Sequence, residues 1–430
     1  MKKLYVKDVL ALEEGKEVVL KGWIHKIYDL GHVNFIKLRD KTGIIQLVAS
    51  KEQLEGLRNE MSIEAKGTIS KNEKAPEGIE VQLKEIKVVG KAYYDKLPFD
   101  INGRKTNAAL ETQLDHRNIS LRAPKVLAVF KIQEEIGECF RAYLRANNFT
   151  EVHTPKILAS GTEGGSELFT VNYFDHRAFL AQSPQFYKQM MVGVGFERVF
   201  EVGHAYRAEL HNTYRHLNEY VSLDAEMGFI EDETEIMDLE EGFLDYLFKH
   251  LKANCKRELE MYGIELPDKV EIPRIPLSEA QEIVFERYGK RSPKGDLNAE
   301  GERLFSEFVK EKYGSDFVFL TKYPISKRPM YTMPDSDIEG ATKSFDLIYK
   351  GLEITTGGQR INDYDMLIEN IKKFGFKPEE YEFYTDNFKY GMPPHGGFAI
   401  GLERLTMQIL GLENIREASL LPRDMKRITP

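Results

Sequence analysis

The 430 residues are 42% hydrophobic and 30% charged with a formal net charge of −9, enough apolar content for two or three packed domains and too acidic for a protein that coats nucleic acid indiscriminately. The two cysteines, Cys139 and Cys255, lie far apart and outside any CxxC or Cys/His grouping, so neither a disulfide framework nor a zinc site is expected. Lys7 and Asp8 interrupt the opening apolar run before it reaches signal-peptide length and no later run approaches a membrane span, which predicts a cytoplasmic protein.

Residues 1–100 hold 18 lysines and arginines against 16 acids, a surplus of +2 that leaves −11 for the remainder. An RNA partner would therefore be held by local patches near the N-terminus. From 17 to 90, five short runs alternate apolar and polar residues: EVVLKGWIHKI, HVNFIKLRD, GIIQLVAS, SIEAKGTI and IEVQLKEIKVVG, separated by turn signals such as Asp40-Lys41-Thr42-Gly43. They predict a small five-stranded barrel over residues 1–95, best matched by the oligonucleotide-binding (OB) fold. In HVNFIKLRD, Ile36 and Leu38 share one face while Phe35, Lys37 and Arg39 share the other. Aromatic and cationic groups on one face suit single-stranded nucleic acid, although an ordinary solvated strand face has the same look.

From 96 to 123 the chain turns polar and irregular, with Pro98 and Gly103, and reads as a linker. Pro124 then opens a helix whose apolar residues Leu127, Phe130, Ile132, Ile136, Phe140 and Leu144 are helically spaced and which stops at Asn147-Asn148. Strand-like runs (AFLAQS, RVFEVGHAYRAE, EYVSLDAEMGF, SFDLIYKGLEITT, GGFAIGLERL) alternate with helical ones beyond it. The pattern predicts an α+β domain over 124–430, an antiparallel sheet flanked by helices. No glycine-rich P-loop and no GxGxxG occur, so the parallel-sheet nucleotide folds have no support.

Two segments concentrate chemistry. RVFEVGHAYRAELHNTYRHLNEYVSLDAEMGF alternates like two antiparallel strands and gathers Arg207, Glu209, Arg215 and His216 around the polar turn between them. A guanidinium can grip a phosphate in two places, and a nearby glutamate can accept from an adenine amino group. GMPPHGGFAIGLERL sets a glycine-rich strand ahead of Gly401-Leu402-Glu403-Arg404, where missing side chains let a ligand approach the backbone and Arg404 adds a second cation. Two separated arginines could hold both ends of a triphosphate. Each cluster by itself is more often a surface salt-bridge network.

Together the two segments resemble motifs 2 and 3 of the class II aminoacyl-tRNA synthetases, and the stretch from Pro124 to Pro155 resembles motif 1, whose family role is the dimer interface. Order, polarity and the spacing of about two hundred residues between Arg207 and Arg404 agree. The wording RAELHNTYRHLNE, TEGGSELF and AQSPQFYKQ resembles the archaeal/eukaryotic branch of aspartyl-tRNA synthetases, and the resemblance runs to the closing LPRDMKRITP. It implies a homodimer that uses ATP, Mg²⁺, aspartate and tRNA. Arg207, Glu209 and Arg404 would be catalytic, with Arg207 on the α-phosphate and Arg404 on the γ-phosphate. Ala208, Glu209, Arg215, His216, Leu217 and Tyr220 would hold the adenine and outer phosphates, with Gly401, Leu402 and Glu403 beside Arg404. Asp346 and Glu353 would carry Mg²⁺, hard oxygen ligands for a hard cation. Thr356 stands where the family usually has serine, three residues after the metal glutamate, and keeps the hydroxyl as an oxygen ligand.

For the amino acid, the resemblance implies Gln185, Phe186, Tyr187, Lys188, Arg207, Thr356 and Arg360, with Lys188 and Arg360 meeting the side-chain carboxylate and Glu163 the ammonium as its loop closes. Asparagine would leave both cations unpaired, a penalty large enough for the pocket itself to reject the amide. In the barrel it implies Phe35 stacking on an anticodon base and Gln46 hydrogen-bonding nearby. His25 and Pro76 stand where members that charge only the aspartate tRNA typically have Trp and Lys, whereas members that also accept the asparagine tRNA tend to carry His and Pro. The two anticodons differ at the third base, C against U, which swap donor and acceptor. Trp and Lys can only donate, imidazole can do either, and proline's ring can do neither. A reader of both tRNAs is therefore expected, its Asp-tRNA(Asn) product feeding an amidotransferase. Three readings stay open beside it: a synthetase for tRNA(Asp) alone, a relative activating asparagine or amidating free aspartate, and a silent paralogue that binds tRNA or a partner.

Overall fold

The computed structural model describes residues 3–31, 34–94, 96–101, 108–161, 167–210 and 213–430, with Pro76 described by its backbone. They fall into two units, Met1–Ala109 and Leu110–Pro430. In the first, a short helix α1 (Val6–Val9) precedes β1 (Glu17–Asp29), β2 (Asn34–Arg39), β3 (Ile44–Ala49), a turn of helix α2 (Lys51–Leu54), β4 (Ser62–Lys71) and β5 (Ile79–Gly90). The strands close a barrel in the order β1-β2-β3-β5-β4, as the alternating runs predict. Every second residue points inward, so Val18, Leu20, Ile24, Ile36, Leu38, Ile45, Leu47, Ile63 and Val81 fill the interior.

The second unit begins inside the stretch read as a linker. Residues there form α3 (Leu110–Asp115) and α4 (Arg117–Ser120). Arg117 is buried and donates to the carbonyls of Ser419 at 2.7 Å and Leu420 at 2.8 Å. These partners lie some three hundred residues downstream, so no local pattern announces the packing. The elements that follow are α5 (Pro124–Ala146), β6 (Thr150–Glu151), β7 (Ile157–Leu158), β8 (Thr170–Tyr173), β9 (His176–Leu180), α6 (Gln185–Met191), β10 (Arg198–Tyr206), β11 (Glu219–Gly228), α7 (Thr234–Asn254), α8 (Lys256–Tyr262), β12 (Arg274–Pro276), α9 (Leu277–Tyr288), α10 (Ala299–Tyr313), β13 (Phe317–Thr321), β14 (Ser344–Tyr349), β15 (Leu352–Arg360), α11 (Tyr364–Lys373), α12 (Glu382–Thr385), β16 (His395–Gly401) and α13 (Leu402–Leu410).

Eight of these strands make one sheet, β12-β13-β14-β15-β16-β11-β10-β6, antiparallel except for parallel pairs at its two edges. One face packs on helices: Ile132, Ile136, Phe140 and Leu144 of α5 and Phe243, Leu247 and Leu251 of α7 meet Phe200, Leu223, Phe398 and Ile400 of the sheet. Phe140 is edge-on to Phe200, Phe243 and Phe398 at 5.9, 5.1 and 6.4 Å, and its truncation to alanine would cost about 3–5 kcal/mol. Strand alternation sends the other residues to the opposite face, where Ser222, Asp224 and Glu226 of β11 line up. That face carries the site. Among the described residues, no helix is long and apolar enough to cross a membrane.

Candidate active site

A cavity of about 320 Å³ opens on the polar face of the large sheet, within the range of small-molecule sites. Arg207, Glu209, Arg215, His216, Leu217, Tyr220, Glu353, Thr356, Arg360, Gly401, Glu403 and Arg404 line it, together with Gln185. The strand pairing makes this possible: β11 lies between β10 and β16, and β16 pairs with β15, so residues about two hundred positions apart share one wall. Of the residues expected at the site, Ala208, Phe186, Tyr187, Lys188, Asp346 and Leu402 do not line the cavity, and Glu163 lies outside the described residues.

The loop between β10 and β11 is closed by Asn218, whose amide donates to the carbonyls of Arg207 at 2.7 Å and Glu209 at 3.0 Å. The backbone N–H of Asn218 is in turn bonded to the carbonyl of Arg423 at 2.9 Å. Arg207 stands 3.7 Å from Glu209, and His216 3.9 Å from the same acid. Arg215 reaches Glu302 of α10 at 3.3 Å. Burial and the nearby Glu353 raise the Glu302 carboxyl to about 7, against the pull of Arg215 and Arg404. Across the cavity, Arg404 donates to the Glu353 carbonyl at 3.0 Å, and Glu403 accepts the Val221 N–H on both oxygens at 3.2 and 3.1 Å. Burial pushes the Glu403 carboxyl up to about 8.

The floor is a four-charge network. Arg360 donates through Nε to Glu226 at 3.0 Å and through Nη2 to the Gly397 carbonyl at 2.9 Å. Lys188, 2% exposed, lies beneath, donating to Asp224 at 3.0 Å and to the Ala225 and Phe398 carbonyls, with Glu226 at 3.4 Å. Burial works to raise Glu226, but Arg360, Lys188 and His395 hold it below the ordinary carboxylate range. Gly397 must be glycine, because a Cβ there would sit 2.0 Å from the Ala225 carbonyl oxygen and 2.3 Å from the Glu226 carboxylate. Phe186, on the far side of α6, stacks on Tyr384 at 4.3 Å within an aromatic core.

The carboxylates expected to hold a metal sit on neighbouring strands. Thr356 donates to Glu353 at 3.2 Å, and Asp346 of β14 pairs in register with Thr356 of β15. Asp346 is buried with Arg328, whose Nη2 stands 2.9 Å away but off the hydrogen-bond line, and whose guanidinium lies 3.8 Å over the Tyr323 ring. Burial and Glu353 raise the Asp346 carboxyl while Arg328 opposes them. Two hard carboxylates that repel each other beside a hydroxyl suit Mg²⁺, which takes its remaining ligands from phosphate and water. Among the described residues, no three His, Cys, Asp or Glu converge as a ready-made metal site.

In the barrel, Phe35 pairs with Tyr28 and Val48 on the outer face, and Lys26 and Lys37 lie over the Tyr28 ring at 5.2 and 5.4 Å. Gln46 donates to Glu80 at 3.0 Å, and Glu80 also accepts from Asn72 and Gln82. Pro76 opens the 3-10 turn Pro76–Gly78. Arg39, on the outer face by alternation, is nonetheless buried against Glu60. His25 is buried too, with Nδ1 2.7 Å from Arg39 Nη1. A guanidinium only donates, so beside Arg39 the ring's Nδ1 is the accepting nitrogen.

The family model for class II tRNA synthetases (D, K and N) matches residues 109–425, and that for the OB-fold nucleic acid binding domain matches 18–89. The chain belongs to the class II tRNA synthetases. The synthetase is 49% identical over 427 residues to the aspartate–tRNA(Asp/Asn) ligase of Deinococcus radiodurans, covering 98% of this chain and 97% of that one. It is 43% identical to the aspartate–tRNA(Asp) ligase of Pyrococcus abyssi over 99% of each. In structure it resembles the Pyrococcus horikoshii asparaginyl-tRNA synthetase complexed with asparaginyl-adenylate, with a TM-score of 0.93, 32% identity and full coverage of both chains.

Several residues of the synthetase's site were not expected from sequence. Asp224 and Glu226 carried a signal, two acids at alternate positions of a strand whose opposite face is apolar. Glu80, Asn218, Glu302 and Arg328 carried none, since each acquires its role from a partner brought in by tertiary folding.

Proposed function

We propose that this synthetase activates L-aspartate with ATP to aspartyl-adenylate and transfers the aspartyl group to the 3′ end of tRNA(Asp) and tRNA(Asn). The observation that carries the amino-acid assignment is the fixed guanidinium of Arg360 in the cavity wall, held by Glu226 and the Gly397 carbonyl above the Lys188 ammonium. A side-chain carboxylate finds a preorganised cation there; an amide does not. Glu163, which falls outside the described residues, is the expected acid for the ammonium, and Asp224, which lines the cavity, is a further acid available to it. Arg207 holds the α-phosphate and stabilises the charge that builds as the aspartate α-carboxylate attacks phosphorus, forming the O–P bond while the bond to the leaving diphosphate breaks. Glu209, His216 and Tyr220 hold the base, with Arg215 on the outer phosphates and Arg404 on the γ-phosphate. Glu353, Thr356 and Asp346 would hold Mg²⁺, which neutralises phosphate charge when bound. The 3′-terminal ribose hydroxyl then attacks the aspartyl carbonyl and AMP leaves.

His25 and Pro76 in the barrel and the names of relatives such as the Deinococcus radiodurans ligase support the wider tRNA choice. It implies an amidotransferase that consumes Asp-tRNA(Asn). Self-association through α5 goes with the family reading and would appear as a dimer mass in light scattering. Pyrophosphate exchange tests the amino acid: aspartate should drive it and asparagine should not, and the reverse would overturn the assignment. Charging of two transcripts differing only in the third anticodon base tests the tRNA choice, which a strong preference for C over U would sink.

A further inference from the structure

Each carboxylate expected to hold the metal comes with a guanidinium of its own. Arg328 stands 2.9 Å from Asp346, and Arg404 3.8 Å from Glu353. The two pairs are unequal. The Glu353 side chain is 37% exposed, so water and salt screen its arginine, whereas those of Arg328 and Asp346 are only 8% and 10% exposed. Strand alternation sends Phe345 and Leu347 to the helix-packed core and Ser344 and Asp346 to the cavity face of β14. Ser344 and Arg328 line the cavity while Asp346 does not. The guanidinium is the carboxylate's cover.

A hydrogen bond does not hold that cover. Nη2 and Oδ1 are close but misaligned, and Nε, Nη2 and Oδ1 are buried without a hydrogen-bond partner. Charge holds it, together with the Tyr323 ring 3.8 Å away. A well-aligned arginine fork would have occupied the carboxylate. Here Oδ1 keeps a lone pair that no donor has taken, and a hard cation binds through such an oxygen. Charge decides when it can be used. Asp346 and Glu353 carry −2 and Arg328 and Arg404 +2, so a bare divalent cation would leave the group at +2. The phosphates of ATP bring the negative charge that offsets it.

We propose that Arg328 is a positioning residue for the metal carboxylates: it holds Asp346 in place and cancels its charge, so that the site takes a divalent cation together with a triphosphate and not alone. This rests on the assignment of Asp346 and Glu353 to the metal.

Manganese(II) shares the preference of magnesium for carboxylate oxygen, and the EPR signal of the free ion falls as it binds. The full-length enzyme without nucleotide should bind Mn²⁺ weakly. Arg328→Gln, which keeps a donor beside Asp346 but removes the charge, should bind one Mn²⁺ at least about tenfold more tightly. Adding Glu353→Gln should abolish that gain, and Arg328→Lys, which keeps the charge, should bind as weakly as the unaltered enzyme. No gain in Arg328→Gln, or a gain that survives Glu353→Gln, overturns the proposal. So does tight Mn²⁺ binding by the unaltered enzyme that Glu353→Gln abolishes, a test that needs no change at Arg328. The metal assignment is tested apart from this, by equilibrium dialysis of α,β-methylene-ATP. The unaltered enzyme should hold the analogue more tightly in Mg²⁺ than in EDTA, and Glu353→Gln should lose the difference. Equal binding in both refutes the metal assignment and the proposal with it; a Mg²⁺-dependent analogue with a flat Mn²⁺ series overturns the role of Arg328 alone.

Discussion

The buried guanidinium–carboxylate pairs Arg360–Glu226, in the catalytic cavity, and Arg39–Glu60, in the barrel, are used in opposite ways. Around Arg360 the charges are shared: Lys188 and Asp224 join the network, and Arg360 still faces the cavity. A charged substrate group would be met there by charge. Arg39 is spent on Glu60 and on the Nδ1 of His25, so its charge is met entirely inside the barrel. Charge selects strongly between an acid and its amide.

The comparison breaks most sharply at Arg360. Arg360→Met should abolish aspartate-driven pyrophosphate exchange and, by stranding Glu226, cost about 3–5 kcal/mol of stability in denaturant melts. Adding Glu226→Met should restore the melt without restoring exchange. Arg207→Ala, whose side chain is 37% exposed, should lower the exchange rate about a hundredfold to a thousandfold with little change in stability. In the barrel, His25→Trp with Pro76→Lys should leave exchange untouched and impose a preference for the C transcript of about tenfold, the scale of one lost hydrogen bond.

Acidity should separate the two units by sign. Glu240 and Glu403 of the second unit are raised to about 8 by burial, above their unfolded value, so the stability they contribute is complete below the unfolded pKa and is lost as pH rises toward 8. His25 is lowered to about 4, so between about pH 4 and 6.5 the unfolded barrel binds the extra proton and the barrel gains stability as pH rises. Hydrogen exchange resolved by residue, compared at pH 5 and 6.5, should show opposite trends for barrel and catalytic amides. The smallest effect belongs to Thr356→Ser, which keeps the hydroxyl near Glu353 and should stay within about twofold of the parent in exchange.

What was legible in the sequence was whatever is written locally. Alternation specified the barrel strands and their inward residues, Pro124 and helical spacing specified α5, and the two motif segments pointed to Arg207, Glu209 and Arg404, which share one cavity. What was not legible depends on distant partners or on a single inserted residue. Arg39 reads as outward and solvated until Glu60 covers it. The bulge that turns His25 is invisible to a period-two pattern, and with it the tautomer. Lys188 reads as a cavity cation, but Asp224, Glu226 and two carbonyls hold it beneath the floor. α3 and α4 read as linker because Arg117 finds its carbonyls at residues 419 and 420.

The clasp between Asn218 and Arg423 bears on how the enzyme comes into being. A ribosome delivers the β10–β11 loop long before residue 423, so a growing chain carries Arg207 and Arg215 without the segment that fastens their loop. Capacity to consume ATP should therefore switch on late, close to release. Chains cut short by a stalled ribosome would be inert toward the nucleotide pool that supplies their own synthesis.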